Sequence, residues 1–192
     1  MRGVVIAAPA SGSGKTLITL GLLRAFVRRG FRISSLKVGP DYIDPQFHHR
    51  ASGRSCGNLD IWAMRPETFL HQVAQAQLES DLIIAEGVMG LFDGAKNGDG
   101  STADVAAILD WPVILVVDVR GQAASAVAVV EGFANHRKNV RIGGVIFNRV
   151  GSDQHAEILN DAMACSPIPV LGCLPRNDEL TLPERHLGLV QA

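Results

Sequence analysis

The sequence predicts an α/β fold, a mostly parallel β-sheet flanked by helices. Three observations carry this. First, six short runs rich in Val, Ile and Leu recur along the 192 residues, at 4–8, 33–38, 82–85, 113–117, 144–147 and 170–174, without polar alternation. Strands of that kind bury both faces, as they do in a helix-covered parallel sheet. Second, segments of helical period separate them, near 15–29, 66–79, 102–109, 123–138 and 154–164. Alternation of this sort reads as a series of βαβ units. Third, the first run passes through a glycine-rich turn, Gly12-Ser13-Gly14, straight into the first helical segment.

Taken in order, each element has its own signal. The first helix carries Arg24, Arg28 and Arg29, with Arg32 just beyond; at helical spacing these read as a solvated face. At 66–79, Pro66 with Glu67 and Thr68 makes a helix first turn, where proline is tolerated. The segment 123–138 keeps Val127, Val130 and Phe133 on one stripe, the face expected to pack on the sheet. Two stretches lack a period and are expected to be irregular. One is 39–65, with Pro40, Pro45, Gly53, Gly57 and the pair His48 and His49; the other is 87–101, with five glycines. Both follow strands directly, and ligands of open α/β sheets bind beyond the carboxyl ends of strands. The tail 175–192 gives no regular element.

Composition narrows the class. With 47% hydrophobic and 19% charged residues, the chain can bury a core and is expected to form one domain over 1–192. A net charge of −1 leaves no electrostatic footprint for nucleic acid or an anionic membrane surface. No apolar run approaches the roughly 20 residues that span a bilayer, and the start, MRGVVIAAPASG, lacks the long apolar core of a signal peptide. Cys56, Cys165 and Cys173 form no CxxC pair. They read as buried structural thiols in a reducing, cytoplasmic setting.

The sharpest motif is Ala8-Pro9-Ala10-Ser11-Gly12-Ser13-Gly14-Lys15-Thr16, lying between a strand and a helix. That setting is what a P-loop requires. Its backbone N–H groups wrap phosphate oxygens, and the helix N-terminus adds positive charge. Ser11, Gly12, Ser13 and Gly14 form the cradle, Lys15 reaches the terminal phosphates, and the Thr16 hydroxyl ligates Mg2+ beside ATP. Pro9 stands where the strict pattern has glycine. Magnesium favours one or two carboxylates besides phosphate and water. Glu86, at the tip of the buried run 81–86, and Asp41, just past the run ending at Val38, are the candidates.

Three motifs in this order, APASGSGKT, KVGPDYIDPQFH and EGVMGLFDG, together with the ending LPERHLGL, resemble the amidation domain of the cobyrinic and hydrogenobyrinic acid a,c-diamide synthases. The resemblance covers essentially the whole chain. It implies a dethiobiotin-synthetase-like P-loop fold and ATP-dependent conversion of the a- and c-acetate carboxylates of an acidic tetrapyrrole, a corrinoid, into amides through an acyl phosphate. It gives Lys15, Asp41, Tyr42, Asp44, Glu86 and Asp93 catalytic or substrate-positioning roles and puts adenine against Asn148. Family members continue into a glutamine amidotransferase domain that supplies ammonia; this chain stops at Ala192, so the ammonia donor is expected elsewhere. A homodimer is compatible with the fold. Arg120, Arg185 and His186 receive no assigned role.

Rival readings are cobyric acid synthase, a nickel-sirohydrochlorin diamide synthase, dethiobiotin synthetase and a partitioning-type switch ATPase. The GPDYIDP segment favours the a,c-diamide reading over cobyric acid synthase and dethiobiotin synthetase. The switch class carries a second lysine five residues before the GKT lysine, and here that residue is Ala10.

Overall fold

The computed structural model describes residues 3–96, 98–177, 179 and 180. Along the chain run β1 (Gly3–Ala7), α1 (Lys15–Arg28), β2 (Ile33–Val38), α2 (Asp44–Ser52), β3 (Cys56–Leu59), α3 (Pro66–Glu79) and β4 (Leu82–Glu86). Then come α4 (Thr102–Leu109), β5 (Val113–Asp118), α5 (Ala126–His136), β6 (Ile142–Val150), α6 (Asp153–Met163) and β7 (Val170–Pro175). The strands form one sheet in the order β3-β2-β4-β1-β5-β6-β7, and every neighbouring pair is parallel.

Strand β1 shows why the aliphatic runs are continuous. Val5 and Ala7 pack on one side into a cluster with Phe69, Val73, Val105 and Val130. Ile6 and Ala8 point the other way, against Ile18 and Leu23 of α1. Both faces are dry, so no polar residue is tolerated on either. The expected stripe of α5 is also present, with Val130 buried and Val127 and Phe133 packed beside it.

The stretch 39–65 is not irregular. It contains α2 and β3, and their composition hides them. Helix α2 reads DPQFHHRAS and buries Asp44, Pro45, His48 and Ser52, so its inner face has no aliphatic period to detect. Its start is fixed by the Asp41 carboxylate, which accepts from the N–H groups of Ile43 (2.9 Å) and Asp44 (3.0 Å). Left-handed Gly53 ends it. Strand β3 is four residues, CGNL, without a β-branched side chain, at the sheet edge. The stretch 87–101, by contrast, holds no helix or strand among its described residues.

The cysteines also depart from expectation. Cys165 is exposed, just past the C-cap of α6, while Cys56 and Cys173 are half-buried. No helix among the described residues is long and apolar enough to cross a membrane.

Helix α4, which follows the glycine-rich loop, begins in a capping box. Ser101 Oγ accepts from the Asp104 N–H, and the Asp104 carboxylate accepts from the Ser101 N–H. Arg137 donates to Asp104 at 2.7 Å. Burial alone would push the Asp104 carboxyl up, but the bonds from Arg137 and Ser101 hold it below the ordinary range. A depressed carboxyl stabilises the fold above its unfolded pKa, and that contribution is lost as pH falls through the folded value. Asp104→Asn should therefore lower stability near neutral pH by about 1 kcal/mol. Urea titrations should show the difference closing as the pH falls below the ordinary aspartate range.

Candidate active site

The phosphate loop links β1 to α1 at the middle of the sheet. Gly12 and Gly14 adopt left-handed backbone, with φ of 76° and 96°. At Gly14, the N-cap of α1, an added Cβ would sit 2.2 Å from Asn148 Nδ2. Glycine is thus required there for conformation and for space. Among the described residues, no acceptor meets the backbone N–H groups of Ser13, Gly14, Lys15 or Thr16. Unpaired donors at a helix N-terminus make an anion cradle. The Pro9 carbonyl abuts Gly90, where a Cβ would come within 2.6 Å of it. Lys15, 7% exposed, reaches across the loop and donates to the carbonyls of Met89 (2.6 Å) and Ala10 (3.3 Å). Burial pulls its pKa down, against the opposing charge of Glu86.

Glu86 ends β4 and is 1% exposed. Its neighbours come from three elements. From α1, the Thr16 hydroxyl donates to Oε1 at 2.5 Å. From α2, His48 Nε2 lies 2.6 Å from Oε2. From β2, Lys37 Nζ stands 3.9 Å from Oε1, 3.5 Å from Asp44 Oδ2, and donates to the Gly87 carbonyl at 2.8 Å. Burial would raise the Glu86 carboxyl, but the His48 bond, the charges of Lys37 and His48, and the Thr16 bond hold it low. Burial works against a charged His48 as well, yet Cys56 and Glu86 on its two nitrogens lift it to about 9. A buried carboxylate thus meets two cations and a hydroxyl donor.

The other expected residues lie on the loops around this point. Asp44 faces Lys37 directly. Asp41 caps α2 through Oδ1. Burial favours its neutral form, while bonds from Asp44 and Ile43 and the Lys37 charge outweigh that and lower its pKa. Asp93 accepts from the Gly90 N–H at 2.8 Å and is near enough to raise the Lys15 pKa. Tyr42 is 82% exposed beside Asp41. Asn148, at the far side of the loop, spends one amide hydrogen on the Ser13 carbonyl at 2.9 Å. Next to it, Arg149 holds left-handed backbone (φ 61°) and donates to the Gly12 carbonyl at 2.8 Å and to Asp118. Arg120 pairs with the same Asp118. Asp118 and Arg120 line a cavity of about 580 Å³ together with Ser11, Gly12, Ser13 and Gln122. Arg185, His186 and the LPERHLGL motif lie outside the described residues.

Sequence reasoning missed Lys37, His48 and Arg149. Lys37 had a signal, since a lysine inside a doubly buried strand demands a partner. His48 and Arg149 had none, because their partners are distant in the chain.

The donor set suits a magnesium ion bound with phosphate: a hydroxyl and a carboxylate, both hard oxygen donors, meet beside an anion cradle. No group of three or more His, Cys, Asp or Glu side chains among the described residues could hold a metal unaided.

Residues 4–190 match the family described as the CobQ/CobB/MinD/ParA nucleotide binding domain. The chain is 58% identical over its full length to the hydrogenobyrinate a,c-diamide synthase of Brucella anthropi, and 56% identical to that of Rhizobium meliloti. It spans 44% and 45% of those relatives' lengths. Among solved structures, the signal recognition particle receptor FtsY of Elizabethkingia anophelis aligns with TM-score 0.63 at 15% identity, over 95% of this chain and 62% of its own. The hydrogenase maturation factor HypB of Archaeoglobus fulgidus aligns with TM-score 0.54 at 13% identity, over 91% and 81%. At such identities the two structures speak for the fold alone.

Gly14→Ala should strain the loop by about 1 kcal/mol and drive a methyl group into Asn148. Equilibrium dialysis against a labelled nucleoside triphosphate should then find weakened binding, while circular dichroism stays that of the folded chain.

Proposed function

Because the chain belongs to the CobQ/CobB/MinD/ParA nucleotide binding domain family, we propose that it is the ATP-using amidation domain of a hydrogenobyrinate a,c-diamide synthase. One observation carries this reading. Lys15, Thr16 and Glu86 converge at the head of the sheet in a chain matching synthases of that name end to end.

In this reading the ATP phosphates rest on the backbone from Ser11 to Thr16, with Lys15 over the terminal ones and the base toward Asn148. Thr16, Glu86 and Asp41 hold Mg2+, which supplies charge neutralisation where anions meet. The substrate is an acidic corrinoid. One of its carboxylate oxygens attacks the γ-phosphorus, and ADP leaves. Ammonia then attacks the acyl carbon, phosphate departs with the bonding electrons, and the nitrogen sheds a proton to give the amide. Two anions must approach in line for the first step, so Lys15 and Lys37 lower the barrier by offsetting their repulsion. Tyr42, Asp44 and Asp93, on the loops past β2 and β4, position the carboxylate and the incoming ammonia. Ammonia comes from a glutaminase domain not present in this chain, and the reaction runs in the cytoplasm.

The test is ADP release with Mg-ATP and ammonium, in the presence and absence of hydrogenobyrinic acid. Release that depends on the corrinoid, with amide product seen by mass spectrometry, is expected; corrinoid-independent release overturns the reading. Lys15→Ala should abolish turnover. Asn148→Ala should relax the preference for ATP over GTP, read as the ratio of the two kcat/KM values, and an unaltered ratio removes Asn148 from base recognition.

A further inference from the structure

Glu86 needs both of its oxygens held if it is to present one of them consistently. Oε1 is turned to the Thr16 hydroxyl. Among the described residues, Oε2 meets a single side chain, the His48 imidazole, at 2.6 Å. That imidazole is wholly buried and is fixed from behind. Cys56 Sγ lies 3.4 Å from Nδ1. Lys37 cannot substitute for it, because its ammonium lies on the Oε1 side and is directed at the Gly87 carbonyl.

We propose that His48 is a positioning residue for Glu86, locking the carboxylate rotation that keeps Oε1 beside Thr16. The proposal rests on the reading of Glu86 as a metal-holding carboxylate. Groups that orient a ligating carboxylate act on metal affinity without touching the metal. It also gives α2 a role: the helix that follows the Asp41–Tyr42 loop reaches back through His48 to the phosphate side.

Isothermal titration of the purified chain with ATP tests this, run with magnesium and again with EDTA. Wild-type binding that magnesium strengthens is the condition on the metal reading itself; without it that reading fails, and the proposal with it. His48→Leu removes the donor. It should weaken ATP binding about tenfold or more in magnesium, yet leave binding in EDTA unchanged. His48→Gln, whose amide can still donate to Oε2, should recover most of the loss. His48→Asn is a milder change with too short an arm to reach Oε2, and it should behave as the leucine variant does even if that variant fails to fold. A merely structural role would weaken both titrations together and leave Gln no better than Asn. That pattern, or magnesium-strengthened binding intact in the folded Asn variant, overturns the proposal.

Discussion

A carboxylate at the centre of a seven-stranded sheet is expensive to bury; moving such an ion out of water costs several kcal/mol unless it is paired and hydrogen-bonded. Glu86 is 1% exposed, and the elements around it are arranged to meet that demand. Strand β4 lies between β2 and β1, so Lys37 is its direct register partner on one side, and α1 starts close by on the other. Thr16, Lys37 and His48 each come from a different element and each satisfies part of the same charge. Lys37 and His48 are themselves buried, so the carboxylate in turn gives each of them a polar partner.

The phosphate loop is framed from both flanks. On one, Lys15 donates to the Met89 carbonyl and Gly90 packs on Pro9. On the other, Asn148 and Arg149 donate to the carbonyls of Ser13 and Gly12. These bonds take up carbonyl oxygens and leave the N–H groups of the loop for a ligand. A cradle already held in shape costs little ordering entropy when it is filled. The left-handed backbone of Met89 and Arg149, uncommon for such residues, falls at these two flanks, where bracing contacts hold it in place.

How much of this was legible depends on how local each signal is. The aliphatic runs announced their strands where both faces are buried, as in β1 and β5, but β7 at the sheet edge leaves Leu171 and Leu174 exposed, and β2 buries Ser34, Ser35 and Lys37 among its apolar residues. The GSGKT turn and the acid at the tip of β4 were legible because their chemistry is written in adjacent residues. Helix α2 and strand β3 were not, since α2 turns Asp44, His48 and Ser52 inward in place of aliphatic residues. The partners of His48 and Arg149 lie 38 and 137 residues away, and nothing in the neighbourhood of either residue foretells such a meeting. Asp41 is a mixed case: its position beyond β2 was foreseen, its part in starting α2 was not.

Strand order has a consequence for the growing chain. Ile6 of β1 stands in register with Glu86 of β4 and Ile114 of β5, so β1 pairs only with strands that are made well after it. Until β4 has been made, Val4 to Ala8 have no partner strand, and one edge of β1 stays open until β5 follows. Long-range parallel pairing of this kind is slow and leaves apolar segments open to wrong partners. The apolar residues of β1 are therefore among those left open while the chain is being made.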